Sequence, residues 1–201
     1  MPIEAILFDL GKVLLDFDLD PVLGKFISSC REPEQFRRVF FDSELAYRYE
    51  CGGITTAEFH DHLCRFGGLQ MDVSAFRSAW TSMFHPNLLL PEDLLTGLRR
   101  RYPLILVSNT NEAHAAYIAD RYPLFGYFEH KVFSFEVGAM KPDARIYRRA
   151  IELSGKAAQS LFFVDDREEN VLGARALGIH AHQFSSEASL IEALHAAGVE
   201  W

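Results

Sequence analysis

The chain is poor in several things, and each shortage narrows what it can be. Its 201 residues include three cysteines, Cys30, Cys51 and Cys64. An odd number with no Cys-x-x-Cys spacing reads as reduced thiols in a cytosolic protein. Positive charge is in deficit, the formal net charge being −8. An acidic surface attracts neither nucleic acid nor an anionic membrane, so neither is expected as the main partner. A locally positive pocket on such a chain can still hold phosphate. The first residues carry no charged segment followed by a long apolar one, and no apolar run approaches membrane-spanning length. Low-complexity segments and internal repeats are missing too. The expectation is a soluble cytoplasmic protein, monomeric or weakly homodimeric, with one α/β domain or such a domain plus an insertion.

What the chain does have is apolar residues, 49% of the total, enough for a sizeable core. Five runs read as strands: Ile3 to Phe8, Leu104 to Val107, Lys131 to Phe135, Leu161 to Val164 and His180 to Phe184. They are continuous rather than alternating, as in parallel strands covered on both faces. Amphipathic segments from Asn111 to Arg121, Asp143 to Ser154 and Asn170 to Leu177 separate the later runs. Strand–helix–strand repetition predicts a doubly wound, Rossmann-like parallel sheet. More than ninety residues lie between the first and second runs, too many for one crossover. Helical segments are expected there over Pro21–Ser29, Glu34–Phe41, Thr56–Phe66 and Ser74–Phe84, with Glu92–Arg101 leading into the second strand. The expected organisation is an α/β core of residues 1–15 and 88–201 with an inserted helical-bundle cap of residues 16–87.

In an open parallel sheet, ligands bind beyond the carboxyl ends of the strands. Asp9 ends the first run, Ser108-Asn109 the second and Asp165-Asp166 the fourth, and Lys141-Pro142 follows the third. Singly, each is ordinary loop or helix-cap composition. Together they supply phosphoryl transfer through an aspartyl intermediate: a carboxylate nucleophile, acids for Mg²⁺, and a hydroxyl and an ammonium for the phosphoryl oxygens. A phospho-accepting receiver module uses a similar set but places its acidic pair on the first strand, and it has no large insertion.

These residues resemble the haloacid dehalogenase (HAD) superfamily in its subgroup with a helical cap. The resemblance rests on "ILFDLGKVLLD" (residues 6–16), "LILVSNT" (104–110), "GAMKPDARIY" (138–147), "FFVDDREENVLGARALGI" (162–179) and the segment "YECGGITTAEF" (49–59). It implies Asp9 as nucleophile and Mg²⁺ ligand, and Gly11 as a backbone-carbonyl ligand. It implies Ser108 and the N–H of Asn109 as phosphate contacts and Lys141 as the neutralising cation. Asp166 becomes the main acidic metal ligand and Asp165 a second or water-mediated one, with Asn170 where many relatives carry a further acid.

The chain departs from the pattern at Gly11, where most phosphatases of the superfamily carry the general acid/base. The resemblance to a branch sharing Asp-x-Gly-x-Val implies a small phosphorylated substrate, with a sugar phosphate such as a hexose 1-phosphate expected. The alternatives are a metal-independent haloacid dehalogenase and a phosphate-binding scaffold of little activity. Asp16, Asp18 and Asp20 are candidates for the absent acid, against a reading as a solvated acidic loop. The eight histidines, His60, His62, His85, His114, His130, His180, His182 and His195, read as surface or packing residues. Substrate choice is expected to lie in residues 42–53, with Phe40, Phe41, Tyr47 and Tyr49 either lining a cavity or packing the bundle. Arg145 is a weak candidate for anion contact.

Overall fold

The computed structural model describes all of residues 1–201. Five strands, β1 (Ala5–Phe8), β4 (Leu104–Ser108), β5 (His130–Phe133), β6 (Leu161–Asp165) and β7 (His180–Gln183), form a parallel sheet in the order β5-β4-β1-β6-β7. Alternation along the strands explains the continuous apolar runs. Ile6, Phe8, Leu104, Leu106, Phe162 and Val164 enter the core on one face. Ala5, Leu7, Ile105, Val107, Leu161 and Phe163 fill the other. The flanking helices are α6 (Glu92–Arg99), α7 (Glu112–Arg121), a one-turn α8 (Ser134–Val137), α9 (Ala144–Ser154), α10 (Glu168–Arg175) and α11 (Glu187–Ala196). On α9, Ile146, Tyr147 and Ala150 are buried against the sheet. No helix is long and apolar enough to cross a membrane.

Between β1 and β4 the chain builds a second apolar cluster. Helices α1 (Asp20–Ser28), α2 (Pro33–Phe40), α3 (Ser43–Glu50), α4 (Thr56–Gly67) and α5 (Val73–Thr81) pack around aromatic rings. Phe26 stacks on Phe76 at 5.0 Å and Tyr49 on Phe59 at 4.4 Å between ring centroids. Such pairs add about 0.5–1.5 kcal/mol each beyond the area they bury.

The bundle is entered and left through a short antiparallel pair, β2 (Leu15–Phe17) with β3 (Phe84–Leu88). The sequence expectations had neither strand, and they ran the fifth helix of the bundle through Phe84. That helix ends at Thr81, and Phe84 instead packs edge-on to Phe17 across the pair. Helices α3, α8 and α11 were likewise not expected.

Two connections seat the bundle on the sheet domain. The Tyr49 hydroxyl donates to Asn111 Oδ1 at 3.0 Å, and Thr56 N donates to Glu112 Oε1 at 2.7 Å. Just past α3, Gly52 takes a left-handed φ of +70°, and a Cβ built there lies 2.1 Å from the carbonyl oxygen of Phe135 on α8. Only glycine allows this approach of backbone to backbone.

Candidate active site

Asp9 follows the central strand, with Ser108 at the end of β4 on one side and Asp165 at the end of β6 on the other. Lys141 reaches in from the segment between α8 and α9. Its Nζ donates to Asp9 Oδ1 at 2.6 Å, to Asp165 Oδ2 at 2.7 Å and to the Val107 carbonyl at 2.8 Å. Burial alone lowers a lysine pKa, but the two adjoining carboxylates reverse the sign and hold Lys141 above its ordinary value. Burial pushes Asp9 upward against the opposing pull of Lys141, and Asp165 adds to the rise. The ammonium therefore offsets two buried negative charges that would otherwise oppose each other.

Position and orientation come from hydrogen bonds around this core. The Asn109 side chain accepts from Lys141 N at 2.7 Å and donates to Lys141 O at 3.0 Å, tying the lysine segment to the end of β4. This amide thus fixes the lysine backbone. Ser108 is buried, and its hydroxyl has only a long contact of 3.4 Å to the Asn109 carbonyl, which leaves it available to a ligand oxygen.

Asp165 is fully buried, and its Oδ1 accepts from Arg167 N and Asn170 Nδ2, each at 2.9 Å. Asp166 is half-buried on the cavity, with burial and the neighbouring Asp165 raising its pKa. Carboxylate oxygens of Asp9, Asp165 and Asp166 lie within 4.8 Å of one another. An all-oxygen, trianionic cluster of this kind suits a hard divalent cation. Asp166 is the freest of the three to ligate, while Asp165 is committed to Lys141, Arg167 and Asn170.

The cluster opens into a cavity of about 210 Å³ lined by Asp9, Gly11, Lys12, Glu50, Lys141 and Asp166 among others. Adjoining it is one of about 230 Å³ that shares Gly11, Phe17, Glu50 and Asn109 and adds Ser108, Trp80, Met83 and His114. A third, of about 220 Å³, lies within the bundle against Phe40, Phe41, Tyr49, Glu50, Phe59 and Trp80. Phe40, Phe41 and Tyr49 therefore line a cavity, whereas the exposed Tyr47 does not.

The remaining acidic and basic candidates line none of the three cavities. Asp16 is a poor proton donor: its carboxylate accepts from Lys12 Nζ and from Phe17 N, it faces His85, and the Lys12 hydrogen bond holds its pKa below the usual range. Asp18 caps the N–H of Asp20 at 3.0 Å, and none of Asp16, Asp18 and Asp20 lines any of the three cavities. Arg145 is exposed and bonded to Asp143. Of the histidines, only His114 lines one of the three cavities. It is buried, with its pKa pushed down to about 3 by burial.

Glu50, which sequence reasoning covered only as part of residues 42–53 and gave no role of its own, lines all three cavities. A signal was present. Glu50 closes α3 immediately before Cys51-Gly52-Gly53, and a carboxylate at a helix C-terminus opposes the helix dipole. A residue placed against local preference invites a functional reading.

Comparison with known proteins agrees with the geometry. A family model for haloacid dehalogenase-like hydrolases matches residues 3–178. The chain is 26% identical over 188 residues to a D-ribitol-5-phosphate phosphatase of Bacteroides thetaiotaomicron, covering 90% of this chain and 91% of the relative. It is 24% identical to a sesquiterpene phosphatase of Aspergillus oryzae, covering 94% of each. Among solved structures, a HAD family enzyme of Bacteroides thetaiotaomicron (bt-2542), in complex with magnesium and inorganic phosphate, superposes with a TM-score of 0.79 at 29% identity over 92% of this chain and 96% of that one. The family model spans most of the chain, from residue 3 to residue 178, and the chain belongs to the haloacid dehalogenase-like hydrolase family.

Proposed function

We propose that the protein is a Mg²⁺-dependent phosphatase that hydrolyses a small phosphorylated metabolite through an aspartyl-phosphate on Asp9. The observation that carries this reading is Asp9 held 2.6 Å from a buried Lys141, beside two further aspartates, at the carboxyl edge of the sheet. Asp9 attacks phosphorus. Lys141 and the Ser108 hydroxyl, with the N–H of Asn109, take the phosphoryl oxygens, and Lys141 offsets the charge of nucleophile and substrate. Asp9, the Gly11 carbonyl and Asp166 would hold the Mg²⁺, with Asp165 orienting the site from behind. The cation would supply neutralisation of phosphoryl charge. The acidic cluster favours this reading over a metal-independent dehalogenase, which has no use for it.

Residues 16–87 act as the cap, closing the reacting atoms off from water and setting the leaving group that fits. A sugar or polyol phosphate is the first reading, supported by the ribitol-5-phosphate phosphatase. The aromatic lining of the cavity within the bundle supports a second, a phosphorylated prenyl-type alcohol, and one relative is a sesquiterpene phosphatase. Phosphate release is to be measured over sugar, polyol and prenyl monophosphates, with Mg²⁺ or EDTA. Activity should need the metal and vanish in Asp9→Asn. Undiminished turnover by that variant removes the mechanism.

A further inference from the structure

Position 11 lacks an acid, and a side chain there meets a ring. A Cβ built on Gly11 lies 2.9 Å from Phe17 Cε1, so the Phe17 ring occupies the direction a side chain would take. Of the aspartates that follow, Asp16 and Asp18 are hydrogen-bonded, and none of Asp16, Asp18 and Asp20 lines any of the three cavities. Yet a phosphate ester with an alkyl leaving group needs a proton at the departing oxygen, because an alkoxide is a strong base.

We infer that Glu50 is the proton donor and acceptor that position 11 lacks, presented to the nucleophile from the bundle rather than from the sheet. The proposal rests on the phosphatase reading given above. Glu50 lines the cavity that holds Asp9, Lys141 and Asp166, and it also lines the two that run on into the bundle. It therefore stands between the phosphoryl position and the space available to a leaving group. Its place is fixed by neighbours on both sides. Tyr49 is hydrogen-bonded to Thr56 and Asn111, and Gly52 rests on the Phe135 carbonyl.

The charged groups sharing its cavities are Lys12, Lys141 and Arg167, together with Asp9 and Asp166; buried His114 lines the second cavity and Tyr49 the third. Of the cations, Lys12 is engaged by Asp16, Lys141 by Asp9 and Asp165, and Arg167 by Glu169. Burial raises the Glu50 pKa against the pull of Arg167, the direction a proton donor needs.

In the first step an Asp9 oxygen bonds to phosphorus while the bond from phosphorus to the ester oxygen breaks. The electron pair goes to that oxygen, which takes the Glu50 proton and leaves as the alcohol. In the second, water bonds to phosphorus, its proton passes to the Glu50 carboxylate, and the bond from phosphorus to Asp9 breaks. Inorganic phosphate leaves and both carboxyl groups return to their starting states.

The test compares benzyl phosphate, which must expel an alkoxide, with p-nitrophenyl phosphate, which expels a stabilised phenolate. The quantity read is kcat/KM, which is blind to the later hydrolysis of the phosphoenzyme. General acid catalysis contributes about 10²–10⁴-fold, so Glu50→Gln should depress the benzyl ester at least about 30-fold more than the nitrophenyl ester. The ratio is taken on the same folded molecules, so partial unfolding cancels. Glu50→Asp is read in the same way, in case the amide prevents folding. Equal losses on both esters make Glu50 a packing or substrate-binding residue and overturn the proposal. Asp9→Asn run alongside should lose both esters. If it does not, the phosphatase mechanism itself fails, a result distinct from any outcome at Glu50.

Discussion

Replacing Gly52 by alanine tests whether bundle and sheet domain are joined by backbone contact, and Gly68 provides the control. Both glycines follow a helix of the bundle and both have left-handed φ, +70° and +69°. An alanine at either site meets the same backbone strain, about 1–2 kcal/mol. They differ in what surrounds the new Cβ. At Gly68 nothing lies within 4 Å, whereas at Gly52 the Phe135 carbonyl oxygen is 2.1 Å away and the carbonyl carbon 3.0 Å. Two backbones must separate by more than about 1 Å to restore ordinary contact, and forcing atoms into a packed site costs a further 1–3 kcal/mol, about. For a chain of this size each kcal/mol moves the melting temperature by about 2–4 °C. Gly68→Ala should lose about 2–8 °C and Gly52→Ala about 4–20 °C, measured by circular dichroism melts. The second readout is kcat/KM for phosphate release. It should fall in Gly52→Ala, whose displaced turn carries Glu50 and Tyr49, and hold in Gly68→Ala. Equal effects of the two substitutions on both readouts would refute the idea that this contact seats the bundle.

Lys141→Met leaves Asp9 and Asp165 facing each other without a cation, and breaking a buried pair costs about 3–5 kcal/mol, so its melting temperature should drop by about 6–20 °C. A drop under 3 °C in the presence of EDTA contradicts the geometry drawn for the lysine. His114 stays neutral in the folded chain until about pH 3, whereas the unfolded imidazole protonates near 6.5. The unfolded state therefore binds the extra proton in that window, and stability falls as pH falls, by about 1.4 kcal/mol per unit. His114→Phe should remove that contribution, so that the melting temperature falls less (or rises more) than in the parent as pH drops from 6.5 to 5, and a slope equal to the parent's disproves the assignment. Tyr49→Phe removes a buried hydroxyl from Thr56 and Asn111 and should cost about 1–2 kcal/mol in a denaturant titration. A variant as stable as the parent shows that these bonds do not seat the bundle.

Much of the sheet and of the site was legible because both follow from local rules. A strand buried on both faces must be apolar throughout, so Ala5–Phe8, Leu104–Ser108 and Leu161–Asp165 stand out, and the polar residue ending each marks the ligand edge. The β2–β3 pair was not legible because its partners, Leu15 and Leu88, lie far apart in sequence. β3 also carries His85, Pro86 and Asn87, which no propensity reads as strand. Helix α3 was missed because its apolar side is reduced to Leu45 and Tyr49, too little for a periodic signal. The ties on Asp16 were only half legible: Lys12 is four residues away in sequence, whereas His85 is brought in by the β2–β3 pair. α11 had a readable start in Ser186, whose side chain caps Ser189 N, but its alanine-rich pattern carries little amphipathic contrast.

Placing the acid on the bundle changes what closure does. With nucleophile, cation and acid all on the sheet edge, an open site would still hold every reacting group, and the cap would serve only to exclude water and select the substrate. On the role proposed for Glu50, the set that would cleave an alkyl phosphate is complete only while the bundle is seated by Tyr49 on Asn111 and Gly52 on Phe135. Binding energy from the leaving group, spent on holding the bundle down, then appears in the chemical step as well as in affinity. A substrate lacking that contact loses rate as well as binding. Phe17 enforces the arrangement, since its ring fills the direction in which an acid at position 11 would have to grow. An aspartate placed at Gly11 therefore adds a Cβ that meets the edge of the Phe17 ring at 2.9 Å, so that ring must shift before the carboxylate fits.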